Sequence, residues 1–394
     1  MTVKAMDEDR LRNAEHAIWL ARPHAVASTA IDVVTRHFPV TGAEVLLADY
    51  PNAFLIPVAS GLDPIRVDTT AAGRAFAAQR PVVEEPGDGA DRPYRAHLPL
   101  TVHGDRLGVI TLTALRPFRP EQLERFTAIA VVLARALKVA DSSTDLYRQV
   151  RRRSRLTLAA EMQWDLLPGR STSCEEYTLA GQLVPAYAVC GDNYDWAATA
   201  DRLTLTVTDG TGQGTQAALL THLAISAMRN ARRSGAGILD QAALANETIY
   251  SHHGGRTHLA TLLLEFDVAG GRVHAVDAGS PRLSRMRGGK AEPIGLSAQM
   301  PLGMFYDTVY TEESFAVEPG DRLFIVSDGV HTALSPDGAA YGMSALPRVL
   351  RDTVLQGPLE VVRTLSRGLL DHHEGTELLD DAVMLCLDWR GRTP

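Results

Sequence analysis

Leu203 to Gly214 reads LTLTVTDGTGQG, an alternating apolar run that ends on Asp209 and passes into a loop carrying Gly210, Gly212 and Gly214. An ordinary turn needs one glycine; three around one acid bring the backbone close to something, a metal or a phosphate being the candidates. The same punctuation recurs in the second half of the chain. Asp192 and Asp195 stand in CGDNYD, Asp328 follows the apolar run of FIVSDGV, and Asp380-Asp381 opens the run of ELLDDAVMLCL. An isolated Asp-Gly is usually a turn. Four acidic sites at the ends of β-forming runs are much harder to read as turns.

Carboxylates at strand ends from distant parts of a chain can converge on one edge of a sheet, where they repel unless a cation neutralises them. An all-oxygen, several-aspartate site suits Mg²⁺ or Mn²⁺ rather than zinc. Two such ions about 3.5–4 Å apart can activate a water and grip both ends of an in-line phosphoryl displacement. On this reading Asp209 bridges both ions, the Gly210 carbonyl is a ligand, and Gly212 and Gly214 let the chain fold back tightly.

At 394 residues the chain exceeds one ordinary core, and three zones separate by pattern. The first, residues 1–119, alternates helical spacing with short strand-like runs: AEVLLAD, AFLIPVA, AHLPLTV and LGVITLTA, the last two joined by a hairpin turn at HGDR. A helical TTAAGRAFAAQ lies between the second and third runs. This α+β order resembles a GAF domain, a sensory module whose sheet holds a ligand or supports a dimer. His97 and His103 read as core or surface histidines.

The second zone, residues 120–168, reads as a helical linker. Its first helix carries Leu123, Phe126, Ile129, Leu133 and Leu137 at steps of three or four, a stripe suited to a coiled-coil homodimer. Its second helix is expected to run through LYRQVRRRSRLTLAAEMQWDLLP, with Arg148, Arg151, Arg152, Arg153 and Arg155 on a solvated face. The third zone, residues 174–390, is rich in strands interrupted by helices, one of them from Thr215 to about Arg233.

The third zone resembles the SpoIIE-like, PPM-type (type 2C) protein serine/threonine phosphatases. The resemblance starts at AAEMQWDLLP and continues through VPAYAVCGDNYD for the family's PA…GGDxYD and VTDGTGQG for its DxxGHG. HLATLLLEFD, DAGSPRL for AGHPPxL and MPLGM for PLG follow. PGDRLFIVSDGV then matches the GDxLxLYTDGx strand, and LLDDAVMLCL the closing DD. It implies two antiparallel sheets packed face to face with helices outside, an α-β-β-α sandwich with the metals at one edge. It further implies that Asp209, Asp328 and Asp380 are catalytic and bind two Mn²⁺ or Mg²⁺ ions together with Gly210. Asp192 or Asp195 contributes from the first motif, and Asp381 belongs to the same site as a ligand or just behind it. The implied reaction is attack of metal-activated water on phosphoserine or phosphothreonine, without a phospho-enzyme. The implied substrate is a phosphorylated anti-sigma-factor antagonist in a partner-switching pathway, under control of the front domain.

The sequence departs from the family pattern at several points. Gln213 and Ser280 replace the two signature histidines, Cys190 the first glycine of GGD, Asn193 the aromatic after it, and His331 stands where an acid is common. Loss of both histidines motivates a rival reading, a catalytically weak pseudophosphatase acting as a binding module. A small-nucleotide phosphohydrolase is a second rival, although no glycine-rich P-loop lysine motif is present. His222, His252, His253 and His331 read as surface or helix-packing residues ahead of proton donors, and Cys190 as a small buried neighbour.

A formal charge of −8 disfavours nucleic acid and anionic membrane as partners. The N-terminus lacks a signal-peptide layout, no run is long enough to span a bilayer, and Cys174, Cys190 and Cys386 form no CxxC pair. A cytoplasmic location is the expectation.

Overall fold

The short alternating runs of the first zone form one antiparallel sheet in the computed structural model, which describes residues 3–59, 61–86, 93–152, 157–186, 189–279, 281–373 and 378–392. The chain divides into two units, Met1–Arg155 and Leu156–Pro394. In the first, α1 (Val3–Leu20) and α2 (Val26–His37) precede β1 (Gly42–Ala48), β2 (Phe54–Pro57) and β3 (Ile65–Arg66). Then come α3 (Ala71–Ala78), β4 (Val82–Glu84), β5 (Tyr94–Val102), β6 (Asp105–Ala114), α4 (Pro120–Ala140) and α5 (Leu146–Arg151). The strand order is β3-β2-β1-β6-β5-β4. The β5–β6 turn places His103 at φ 49° and Gly104 at φ 87°, left-handed values that a tight hairpin requires. Strands β3 and β4 escaped the sequence reading because two or three residues cannot display an alternation.

The helix α4 corrects the proposed domain boundary. Its stripe of Phe126, Ile129, Leu133 and Leu137 is buried in the core of the first unit beside Val34, Leu98 and Ile110. An apolar seam spent inside its own unit is not free to zip against a second copy, so the homodimer through this stripe loses its basis. The second linker helix is not continuous either. After α5 comes a separate α6 (Leu158–Leu166), which packs in the second unit. Thr157 starts α6 by accepting a 3.2 Å hydrogen bond from the Ala160 N–H. Arg153 and Arg155 of the arginine cluster lie outside the described residues.

The second unit continues with β7 (Ser171–Ser173), β8 (Tyr177–Val184), β9 (Asn193–Ala198), β10 (Arg202–Asp209), α7 (Gly214–Arg233) and α8 (Ile238–His253). It then runs through β11 (Ala260–Asp267), β12 (Arg272–Ala278), β13 (Arg282–Arg287), β14 (Lys290–Pro293), β15 (Glu313–Ala316) and β16 (Arg322–Val326). The last elements are α9 (Asp328–His331), α10 (Tyr341–Ser344), α11 (Leu346–Asp352), α12 (Pro358–His372) and β17 (Ala382–Trp389). Two antiparallel sheets result, β15-β12-β11-β10-β9 and β14-β13-β16-β17-β8-β7.

Period-two alternation decides what each sheet face covers. Leu203, Leu205 and Val207 of β10 meet Val383, Leu385 and Leu387 of β17 in the core between the sheets. The opposite face of β17, with Met384 and Cys386, packs on Val361, Val362 and Leu365 of α12. The outer face of the other sheet, with Leu263 and Val276, is covered by Ala224, Ile225 and Met228 of α7 and Ile249 of α8. The unit is therefore the α-β-β-α sandwich that the sequence led us to expect, with strands buried on both faces. Among the described residues no helix is long and apolar enough to cross a membrane.

Candidate metal centre

Four acidic sites meet at one edge of this sandwich. Asp209 ends β10, and its Oδ2 accepts a 3.0 Å hydrogen bond from the N–H of Asp328, the first residue of α9. Asp192, just before β9, takes a 3.0 Å hydrogen bond from the Gly210 N–H on Oδ1. Asp380 precedes β17, and its Oδ1 accepts the Asp381 N–H at 2.8 Å. The close approach needs glycine at two positions. A Cβ on Gly210 would lie 2.4 Å from the Cys190 carbonyl oxygen, and one on Gly329 would lie 1.9 Å from that of Asp381. Gly212 and Gly214 have φ of 95° and 67°, so the tight return of the loop after Asp209 is real.

The electrostatics are those of crowded, partly desolvated acids. Burial, and then the neighbouring Asp328 charge, push the Asp209 carboxyl up to about 7. Burial and the Asp209 charge raise Asp192 well above the usual carboxylate range. Asp380 is raised in the same sense, by burial first. Asp192 is fully buried and its Oδ2 has no hydrogen-bond partner, although the nearby Ser327 hydroxyl favours its charged form.

A buried carboxylate oxygen without a donor, among acids that resist ionising together, fits a cation's place. Among the described residues, however, no three His, Cys, Asp or Glu side chains form a ready-made ligand set. A hydrated Mg²⁺ or Mn²⁺, held by one or two carboxylates and several waters, suits that spacing. Asp192, Asp209, Asp328, Asp380 and the Gly210 carbonyl are the groups that could hold it.

Two predicted ligands are corrected. Both carboxylate oxygens of Asp195 are taken by arginines of α7, Arg229 at 2.7 Å and Arg232 at 2.9 Å. Asp195 lies an odd number of residues from Asp192 and faces the outer helix instead of the edge between the sheets. Asp381 is fully buried and saturated. It accepts the Ala186, Cys190 and Gly191 N–H groups at 2.8 Å, the Asp192 N–H at 3.3 Å and Gln163 Nε2 at 2.7 Å. Its work is to hold the loop that carries Asp192, not to offer a lone pair to a metal.

Gln163 was missed as a site residue, although the segment AAEMQWDLLP was singled out. From α6 its side-chain amide donates to Asp381 and, at 3.1 Å, to the Asp192 carbonyl, while its backbone carbonyl accepts from Asn193 Nδ2 at 3.2 Å. A polar residue on the apolar side of a helix was the available signal.

Of the histidines weighed as proton donors, only His331 lines the cleft beside Asp209 and Asp328. His222 is exposed on α7, and His252 and His253 end α8. The Cys190 thiol is pushed up to about 12 by burial and the Asp380 charge, which makes it an inert neighbour. Gln213 stands exposed at the head of α7 and makes no capping hydrogen bond. Ser280 lies outside the described residues.

Residues 199–390 match the family model for Stage II sporulation protein E (SpoIIE), a span that begins after the Asp192 motif. Protein IcfG of Synechocystis sp. is 23% identical over 263 residues, which cover 60% of this chain and 41% of IcfG. Among solved structures, the SiaA PP2C domain of Pseudomonas aeruginosa is 20% identical, with TM-score 0.48, 54% of this chain covered and 86% of that one. The RsbU and RsbW domains of Rv1364c from Mycobacterium tuberculosis are 22% identical, with TM-score 0.47 and coverage of 56% and 63%.

Proposed function

We propose, from the match of residues 199–390 to the SpoIIE family model and from the acids gathered in the second unit, that this chain hydrolyses phosphoserine or phosphothreonine on a signalling protein. The observation that carries this reading is the meeting of Asp192, Asp209, Asp328 and Asp380 at one sandwich edge, where Asp209 and Asp328 line a cleft of about 700 Å³. Divalent cations bound there would neutralise charge and lower the pKa of a water for attack on phosphorus. The protein's own part is positional. Asp381 and Gln163 fix the loop of Asp192, the Asp328 N–H orients the Asp209 carboxylate, and Gly210 and Gly329 allow the backbones to close.

The substrate we favour is a phosphorylated anti-sigma-factor antagonist, with the first unit acting as a GAF-like sensor and the whole working in the cytoplasm. The resemblance of the motifs supports this, as does a front unit with a core of its own. Mn²⁺- or Mg²⁺-dependent release of phosphate from a phosphoserine protein by the full chain tests the reading. Turnover that survives Asp209→Asn would overturn it.

One observation favours the rival. Gln213, at the place of the first signature histidine, is exposed and its side chain makes no capping hydrogen bond. Tight binding of the phosphoprotein with no metal-dependent turnover would point to a pseudophosphatase.

A further inference from the structure

The cleft beside the carboxylates presents a charge problem to any phosphate ester. Its described lining includes Asp209, Asp277, Glu292 and Asp328, against one permanent cation, Arg282. Arg282 opens β13 and pairs in register with Val326 of β16, two residues before Asp328. It therefore sits on the strand next to the one that delivers a proposed ligand.

Neighbouring cations are committed elsewhere. Arg285 donates to the Ala316 carbonyl, Arg287 is paired with Asp321 and Glu318, and Lys290 with Glu292. The Arg282 side chain makes no hydrogen bond or ion pair with any described residue and is exposed to the cleft. Its charge is felt by His331, whose pKa is lowered by burial and then by this guanidinium.

We propose that Arg282 grips the phosphoryl group of the substrate, its guanidinium fork donating to two non-bridging oxygens. This rests on the phosphatase reading. A planar fork matches phosphate bidentately and needs no proton bookkeeping, since arginine stays charged throughout. Placed beside the acids, it offsets their repulsion of the incoming dianion and meets the charge that spreads over the equatorial oxygens in the transition state. Arg282 forms and breaks no covalent bond.

The test uses the full chain with Mn²⁺, comparing the natural protein with Arg282→Ala and Arg282→Gln, the latter polar but uncharged. Inorganic phosphate binding is measured by calorimetry, phosphopeptide turnover as kcat and KM, and Mn²⁺ half-saturation separately. Both variants should bind phosphate at least tenfold more weakly and lose on the order of 10²-fold in kcat/KM. Mn²⁺ half-saturation and the melting transition should stay in place. Unchanged phosphate affinity in either folded variant overturns the proposal. That holds even if KM rises, which would assign the arginine to a carboxylate of the peptide. If the natural chain turns over no phosphopeptide, the phosphatase reading fails, while the phosphate titration still decides whether Arg282 binds the anion.

Discussion

The N–H of Asp328 donates to the Asp209 carboxylate at 3.0 Å across 119 residues of sequence. One hydrogen bond thus ties the end of β10, in one sheet, to the first residue after β16 and Ser327, in the other. The Asp328 charge raises the Asp209 carboxyl where the sandwich opens, and that repulsion is what a divalent cation would relieve.

Asp209→Asn should remove metal-dependent turnover and weaken Mn²⁺ binding by more than the roughly 10–100-fold typical of residues behind the ligands. Metal titration followed by activity and by calorimetry checks both effects. A variant with normal Mn²⁺ affinity would remove Asp209 from the site.

The raised carboxyl of Asp209 makes a pH prediction with a definite sign. Its ordinary value is 3.8 and its folded value about 7. Between these limits the folded chain holds a proton that the unfolded chain has released, so this group's contribution to stability declines as pH rises. Buried Asp192 and half-buried Asp380 act in the same direction. In the absence of metal, the difference in melting temperature between Asp209→Asn and the natural chain should widen in favour of the variant from pH 5 to pH 8. Added Mn²⁺ should narrow it. A difference that does not change with pH would contradict the shift.

Asp381→Asn keeps the shape but loses the charge that gathers the Ala186, Cys190, Gly191 and Asp192 N–H groups. It should cost about 1–3 kcal/mol in urea unfolding and weaken metal binding about 10–100-fold by loosening the Asp192 loop. If stability and metal affinity both stay at natural levels, the buried carboxylate does not organise that loop.

Asp195→Ala leaves Arg229 and Arg232 facing an empty place and should destabilise the chain by roughly 3–5 kcal/mol. Mn²⁺ half-saturation of the folded protein should not move, whereas Asp192→Asn should raise it. Equal losses of metal affinity in the two variants would restore Asp195 as a ligand.

Gly210→Ala forces a Cβ to 2.4 Å from the Cys190 carbonyl oxygen, a backbone contact that no rotamer relieves. Overpacking of this kind costs about 1–3 kcal/mol. The expected readout is a lower melting temperature together with weaker Mn²⁺ binding. Natural behaviour in both would show that the loops are not tightly apposed.

The strands of the second unit were legible as apolar runs, while their stacking into a sandwich was implied by the resemblance of the motifs; β17 is apolar throughout because its two faces meet the facing sheet and α12. The linker was misread for a related reason. An amphipathic stripe such as that of α4 states that one face wants burial, not which surface will bury it. Parity was an unused signal at the site. Within the second unit's first sheet it separates the acids: Asp192 and Asp209 each stand two residues from Tyr194 and Val207, which face the core between the sheets. Asp195 has the opposite parity.

The order of residues by itself determined that acids would stand at the ends of apolar strands and that glycine would follow two of them. Local propensity and alternation act within a few residues, and they were enough for that. Which acid sits by the open edge, which is locked to arginines and which gathers backbone N–H groups was decided by tertiary structure. Those roles depend on partners such as Arg229, Arg232 and Gln163, which only folding brings within hydrogen-bond range.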